Sequence, residues 1–333
     1  MADAAAIEVA GLAKTFGSVR VLDSVTFTVP RGGVFALLGP NGSGKTTTVR
    51  ILATLSRADA GRVRIDGLDV VGDRRRVRHR ISLTGQYAAL DELQTGEGNL
   101  RMVARLCGLP GRTGRVRARE LLDRFGLTGA GGRLVRTYSG GMRRRLDLAM
   151  SLVGRPSVVF LDEPTTGLDL PSRQRLWEAV TDLARAGTTI VLTTQYLEEA
   201  DRLADRIAVL DDGRIRAEGT AAELKERVAD HRLDLVAADT GAFTDLARDL
   251  ADRATTADPA TLRVQARTDG SAAHVRALLD ELDPGRDKVH RFAVRTATLD
   301  DVFLALTGRS STPDDRTAPH TGNSHEDREV DRV

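Results

Sequence analysis

A chain of 333 residues is long enough for about two domains at ~150 residues each. Its formal net charge of +2 gives no global argument for nucleic acid, and its single cysteine, Cys107, excludes an internal disulfide and suits a reducing compartment. The first residues carry no basic region followed by an apolar core, and no apolar run approaches the ~20 residues that span a bilayer, so a cytosolic protein is expected, with any membrane role left to a separate partner.

In chain order, Ile7-Glu8-Val9 and Val25 to Val29 alternate as half-buried strands do, with Thr15 to Gly17 and Val19 to Leu22 as a hairpin between them. Phe16 stands beside that turn. Its ring suits either a stack on a purine base or a plug in the core, and the residues leave both open. Val34 to Leu38 is an apolar run that reads as a buried strand. It leads into Gly39-Pro40-Asn41-Gly42-Ser43-Gly44-Lys45-Thr46-Thr47, which fits G-x-x-x-x-G-K-[ST], and Thr48 to Ala53 reads as the first turns of a helix. Glycines in such a loop let successive N–H groups point inward at a helix N-terminus that already favours anions. Lys45 would reach the β/γ-phosphates and the Thr46 hydroxyl would complete a Mg²⁺ shell. With only four lysines in the chain, one placed at the end of this loop argues against an accidental match.

Gly61 to Gly67 reads as a short strand and turn. Arg74-Arg75-Arg76-Val77-Arg78-His79-Arg80 is the densest basic run; a solvated helix face is the ordinary reading, and a specific anion or nucleic-acid contact the sharper one. Ile81 to Thr84 reads as a strand that ends at Gly85-Gln86, where ligands bind in open α/β sheets. From Thr95 to Arg136 the apolar spacing is helical, as an insertion between two strands would be. Ser139-Gly140-Gly141 opens an amphipathic segment, Met142 to Leu152, with arginines in its first turn. Cations there oppose the helix dipole unless an anion sits at the N-terminus, so a second anion site is one reading and a capping serine with flexible glycines the other.

Ser157 to Pro164 is an apolar strand that ends in Asp162-Glu163, with a proline that stops it. Asp162 is placed to hold Mg²⁺ through water, and Glu163 to polarise an attacking water as general base. Gly167-Leu168-Asp169, a helix from about Ser172 to Ala186 and a strand from Thr189 to Thr193 follow, with Gln195 just past the strand tip. Ile207 to Leu210 and Gly213 to Ile215 read as a hairpin, and Ala221 to about Val228 as a closing helix. The last third alternates strand-like stretches (Leu233 to Ala237, Leu262 to Ala266, Val289 to Val294) with helical ones (Ala242 to Ala251, Ala272 to Leu282, Leu299 to Leu306). It reads as a small α/β module of its own without a catalytic constellation, and His290 lacks any Cys or His at ligand spacing. Arg309 to Val333 has almost no apolar content and reads as disordered.

The order of these parts, from about Ile7 to Asp230, resembles the nucleotide-binding subunit of an ATP-binding-cassette (ABC) transporter. Gly39 to Thr46 matches the phosphate loop, Gln86 the glutamine loop, Ser139-Gly140-Gly141-Met142 the signature, Asp162 and Glu163 the magnesium aspartate and catalytic glutamate, and Leu168-Asp169 the loop that links two subunits. The resemblance implies an α/β, P-loop NTPase fold: an ABC-type ATPase domain over 1–230, with a helical subdomain at about 87–155, then a small α/β assembly or regulatory domain at 231–308 and a tail at 309–333. It implies ATP and Mg²⁺ as ligands. Phe16 would stack on the adenine, Gly39, Pro40, Asn41, Gly42, Ser43, Gly44, Lys45, Thr46 and Thr47 would cradle the phosphates, and Thr46, Gln86 and Asp162 would hold the metal. Ser139, Gly140, Gly141 and Asp169 would complete the site from a second copy, because family members pair head to tail.

Two departures stand out. Tyr138 and Met142 flank the Ser-Gly-Gly core where the family more often has Leu and Gln, and Gln195 stands where it usually has a histidine on the γ-phosphate. A glutamine donates a hydrogen bond but carries no proton or charge, so Gln195 is expected to act as a neutral donor while Glu163 remains the base. Thr193 to Ala200 together with Leu299 to Gly308 resemble the daunorubicin-resistance subfamily of drug-exporter ATPases. That resemblance implies a homodimer on the cytoplasmic face of a membrane, docked on a separate permease and exporting a hydrophobic drug, with no nucleic acid as partner. The alternative is a soluble ABC-type ATPase in DNA repair or on ribosomes, with Arg74 to Arg80 as the contact.

Overall fold

An antiparallel pair opens the chain: β1 (Ile7–Phe16) and β2 (Val19–Val29) meet at Gly17, whose φ of +58° is left-handed backbone that a glycine takes without a Cβ clash. The computed structural model describes residues 5–85, 89–227, 231–251, 254–295 and 297–308; Gln86, Asp230 and the 309–333 tail lie outside the described residues. After β2 come β3 (Val34–Leu38), α1 (Lys45–Leu52), β4 (Ala60–Ile65) and β5 (Leu68–Asp69), then α2 (Arg74–Arg78), β6 (Ile81–Thr84), α3 (Gly96–Leu106), α4 (Gly111–Arg124) and α5 (Gly140–Ser151). β7 (Val158–Asp162), α6 (Leu170–Arg185), β8 (Thr189–Thr194), α7 (Leu197–Leu203), β9 (Arg206–Asp211), β10 (Arg214–Gly219) and α8 (Ala221–Arg227) follow.

The strands sort into two sheets, a small one ordered β2-β1-β4-β5 and a larger one ordered β10-β9-β3-β8-β7-β6. In the larger sheet β9, β3, β8, β7 and β6 run parallel. A parallel sheet is covered on both faces, and its strands therefore read as unbroken apolar runs. Val34, Val159, Leu161, Ile190 and Leu192 pack under the helical layer of α3 to α6, while Phe35, Leu37, Val158, Phe160 and Val191 pack against α1 and the small sheet. Phe27 of β2 stacks on Phe35 at 5.2 Å between centroids and joins the two sheets. Each fully buried side chain of this kind contributes about 1.5–3 kcal/mol. The consequence for the site is topological. The carboxyl ends of β3, β8, β7 and β6 lie in a row, and the loops that leave them carry the motifs.

Helix boundaries follow local chemistry. Thr95 caps α3 by accepting from Gly98 N–H, Ser139 caps α5, and Pro171 sits in the first turn of α6, where its missing N–H costs nothing. The basic run divides. All its arginines are exposed, yet Arg74 donates to Thr54 O at 2.7 Å and Arg78 Nε to Thr54 Oγ1 at 2.9 Å, so two of them fix the chain where it leaves α1.

The last third forms a third sheet, β12-β13-β11-β14, from β11 (His231–Ala237), β12 (Ala254–Asp258), β13 (Arg263–Thr268) and β14 (Val289–Arg295), with α9 (Thr240–Asp249) and α10 (Ala272–Leu282) on it. Leu233 and Leu235 alternate into that core with Phe243, Leu246, Val275 and Leu278. β12 is too polar to read as a strand from its residues alone. His290 is exposed on β14.

α11 (Leu299–Thr307) departs from the expected grouping. It does not pack on that sheet; Leu299, Val302 and Phe303 join Ala36, Leu38, Leu197, Ala200 and Leu224, against α7, α8 and the inner strand β3. Helical spacing shows which face is apolar but not which partner covers it. A capping box between Thr298 and Asp301 starts the helix, and Gly308 ends it in left-handed backbone. Among the described residues no helix is long and apolar enough to cross a membrane.

Candidate functional site

The loop after β3 is shaped by two glycines that nothing larger replaces. A Cβ on Gly39 would meet Leu210 O at 2.1 Å, and one on Gly44, whose φ is +105°, would meet the Leu22 side chain at 2.6 Å. Gly44 precedes α1, so Lys45 is the first residue of the helix. Its ammonium is buried and donates to Gly39 O at 2.8 Å and Pro40 O at 2.9 Å, lying 3.6 Å from Glu163 Oε1. Burial pulls the Lys45 pKa below the usual lysine value, and the Glu163 carboxylate opposes that. Ser43 Oγ is buried in the same loop with no hydrogen-bond partner.

Across the sheet, Asp162 ends β7 opposite Thr193 of β8. Asp162 Oδ1 accepts from Thr193 Oγ1 at 2.6 Å and from Thr46 Oγ1 at 3.2 Å. Glu163 is one residue on, at φ +47°. A side chain other than glycine in such backbone carries strain of about 1–3 kcal/mol, held only where the surroundings over-determine it. Here Glu163 N–H donates to both the carbonyl and the hydroxyl of Thr193 at 3.1 Å, and Thr166 Oγ1 donates to Glu163 Oε2 at 3.5 Å. The turn aims the carboxylate back towards Lys45 instead of along the strand.

These residues fit a magnesium nucleoside triphosphate. The glycines leave the cradle open to a phosphate, and Ser43 offers an unpartnered hydroxyl. Thr46 and Asp162 put two hard oxygens within hydrogen-bonding distance of each other. Among the described residues no group of three or more His, Cys, Asp or Glu could form an all-protein cage. Mg²⁺ keeps waters and substrate oxygens in its shell, so the two oxygens of Thr46 and Asp162 fit it. Gln86, the third expected metal residue, lies outside the described residues.

The other expected residues are further apart. Phe16 ends β1, 52% exposed as a residue and with Lys14 Nζ 5.2 Å from its ring centroid, so it does not plug the core. Gln195 is half-buried, one residue past β8, and Gly39 N–H donates to Thr194 O beside it. Ser139 Oγ accepts from Met142 N–H of its own helix at 3.3 Å, and a Cβ on Gly141 would meet Ser172 Oγ of α6 at 2.3 Å. Neither contact reaches the Gly39–Thr47 loop. Asp169 is exposed at the start of α6. Tyr138 is buried and donates to Ala130 O at 2.7 Å, so the unusual first signature residue belongs to the helical core.

Three residues escaped the reading of the sequence. Thr193 looks like any β-branched strand residue, yet its hydroxyl touches both acids. Arg144 looks like one arginine of three, yet it is buried and donates to the backbone of two other segments. Glu199 looks like an exposed helix residue, but it is buried and accepts from Trp177 Nε1 at 3.1 Å, and burial raises its pKa. In no case does the residue type itself carry a signal.

Comparison with known proteins agrees with this geometry. Residues 22–166 match the family model described as ABC transporter. The chain is 50% identical over 317 residues, 94% of each chain, to the daunorubicin/doxorubicin resistance ATP-binding protein DrrA of Streptomyces peucetius. It is 47% identical to the doxorubicin resistance ATP-binding protein DrrA of Mycobacterium tuberculosis, over 92% of this chain and 94% of that one. A solved ATP-binding subunit of an ABC transporter superposes with a TM-score of 0.60 at 29% identity, over 66% of this chain and 92% of that one.

Proposed function

This chain belongs to the ATP-binding subunits of ABC transporters, and from that premise we propose that it energises efflux of a hydrophobic drug or antibiotic through a separate membrane permease. It binds ATP with Mg²⁺ and hydrolyses it. The observation that carries the export reading is similarity of about half the residues, along nearly the whole chain, to subunits named for daunorubicin and doxorubicin resistance. The reading as an ATPase of DNA repair or ribosomes has no support among these relatives, and Arg74 and Arg78 are engaged within the fold.

In this reading Phe16 stacks on the adenine, and Gly39 to Thr47 bind the phosphates through the backbone, with Lys45 on the β- and γ-oxygens. Thr46, Asp162 and Gln86 would hold Mg²⁺, which would supply positive charge against the phosphate oxygens. Glu163 polarises the attacking water, and Gln195 donates its amide to the γ-phosphate as a neutral group. Since Ser139, Gly140, Gly141 and Asp169 lie outside the contacts of their own chain's loop, they complete the site of a second copy packed head to tail. The cassette spans 1–230, with its helical subdomain at about 87–155, and 231–308 supports assembly, its last helix seated back on the cassette. The protein works on the cytoplasmic face of the membrane.

The test is co-expression with a neighbouring open reading frame that encodes about six apolar spans, followed by reconstitution in liposomes. Co-purification and ATPase activity stimulated by daunorubicin support the proposal. An ATPase that neither co-purifies nor responds to the drug contradicts it.

A further inference from the structure

Arg144 lies on α5, five residues after Ser139, with a side chain only 8% exposed. Its guanidinium reaches three carbonyls on two other segments: Nε donates to Pro164 O at 2.8 Å, Nη2 to Asp162 O at 3.4 Å, and Nη1 to Gly85 O at 2.6 Å. The first two flank Glu163 on either side. Asp147, one helical turn on and equally buried, lies 3.4 Å from Arg144 Nη1 through Oδ2 and accepts from Ala89 N–H through Oδ1 at 3.3 Å. The pair therefore grips the backbone at Gly85 and at Ala89 as well as on both sides of the glutamate.

We propose that Arg144, with Asp147 as its counter-charge, is a positioning residue for hydrolysis, holding the left-handed turn at Glu163 and linking that turn to the signature helix. The inference deepens the assignment of Glu163 as the base and rests on it. Two physical points carry it. A residue at positive φ keeps that conformation only when its neighbours are held, and Arg144 holds the carbonyl on each side while Thr193 holds the N–H. Planar, forked donors such as guanidinium bind several acceptors at fixed angles, which an ammonium does not. Because α5 begins at Ser139, any shift of that helix relative to the sheet by more than about 1 Å stretches these bonds beyond hydrogen-bonding range. The placement of the signature and the aim of Glu163 are thereby mechanically joined.

A buried arginine can also serve only as a strut, and the experiment separates the two roles. In the full-length protein, ATPase kcat, KM for ATP and melting temperature are measured for Arg144→Lys, Glu163→Gln and a control, Arg117→Lys. Arg117 donates to Leu152 O at 2.8 Å, another helix-to-backbone strut away from the acids. Arg144→Lys is expected to lower kcat at least ten-fold with KM within two-fold, while Arg117→Lys leaves kcat unchanged even where the melting temperature falls. A folded Arg144→Lys protein with kcat within two-fold of the original, beside an inactive Glu163→Gln, overturns the positioning role alone. Full activity of Glu163→Gln overturns the base assignment and the positioning role with it. If Arg144→Lys does not fold, Asp147→Asn carries the test: it keeps an acceptor for Ala89 N–H and removes the charge that holds Arg144. A three- to ten-fold loss of kcat at constant KM is then expected, and an unchanged kcat overturns the proposal.

Discussion

Thr193 Oγ1 donates to Asp162 Oδ1 at 2.6 Å and accepts from Glu163 N–H at 3.1 Å, so one hydroxyl on β8 orients both acids at the tip of β7. Thr193→Val removes both bonds at nearly constant volume. A hydrogen bond to a charged group is worth about 1.5–3 kcal/mol, so hydrolysis should fall ten- to a hundred-fold and the Mg²⁺ concentration for half-maximal rate should rise. Thr193→Ser should restore most of the rate. Steady-state kinetics against Mg²⁺ checks this, and a valine variant with normal Mg²⁺ dependence would exclude the role.

Lys45 is held by two backbone carbonyls of its own loop, which shape the cradle before any phosphate enters. Lys45→Ala should weaken ATP binding at least ten-fold and abolish turnover. Fluorescent-nucleotide titration reads the first and phosphate release the second. Tight binding by the alanine variant would contradict the assignment.

In the proposed mechanism Gln195 supplies a neutral donor where a histidine would add a titratable one. Gln195→Ala should slow hydrolysis by less than Glu163→Gln does, and Gln195→His should keep the protein active. A comparison of the three turnover rates decides the order. Equal losses at Gln195 and at Glu163 would contradict this ordering.

Burial pushes the Asp147 pKa up to about 6, against the pull of Arg144 and of Ala89 N–H. A folded-state pKa above the ordinary carboxylate value means the native protein binds the proton more tightly than the unfolded chain does. This group's stabilisation is therefore present at low pH and fades as pH rises through about 6. Between pH 5 and 7 it should subtract about 1 kcal/mol from stability, at 1.36 kcal/mol per unit. From pH 5 to pH 7 denaturant melts should show the original protein losing about this amount relative to Asp147→Asn, whereas parallel curves would contradict the shift.

Much of the nucleotide fold was legible in the residues because its signals are local. The unbroken apolar run Val34 to Leu38 marks a strand covered on both faces, and Gly39 and Gly44 mark a backbone that comes too close for a Cβ. Strand tips that end in acids or amides mark the carboxyl edge of the sheet. What stayed illegible depends on contacts far apart in the chain. Arg144 lies 59 residues from Gly85, and nothing in a run of three arginines tells which one turns inward. Leu299, Val302 and Phe303 announce an apolar face but not that it returns to Ala36 and Leu38 across the whole intervening module. β12 pairs with β13 although its residues are mostly Ala, Thr and Asp, since tertiary pairing overrides weak strand propensity.

In the proposed mechanism Glu163 drives hydrolysis in a site shared by two copies of the chain. Glu163→Gln tests this, with turnover and molecular mass measured together in MgATP. The expected result is turnover below about one hundredth of the original, as the loss of a general base worth 10²–10⁴ implies, with a stable species of twice the monomer mass that forms with ATP and not with ADP. Unchanged hydrolysis, or a protein that stays monomeric with ATP bound, would contradict it.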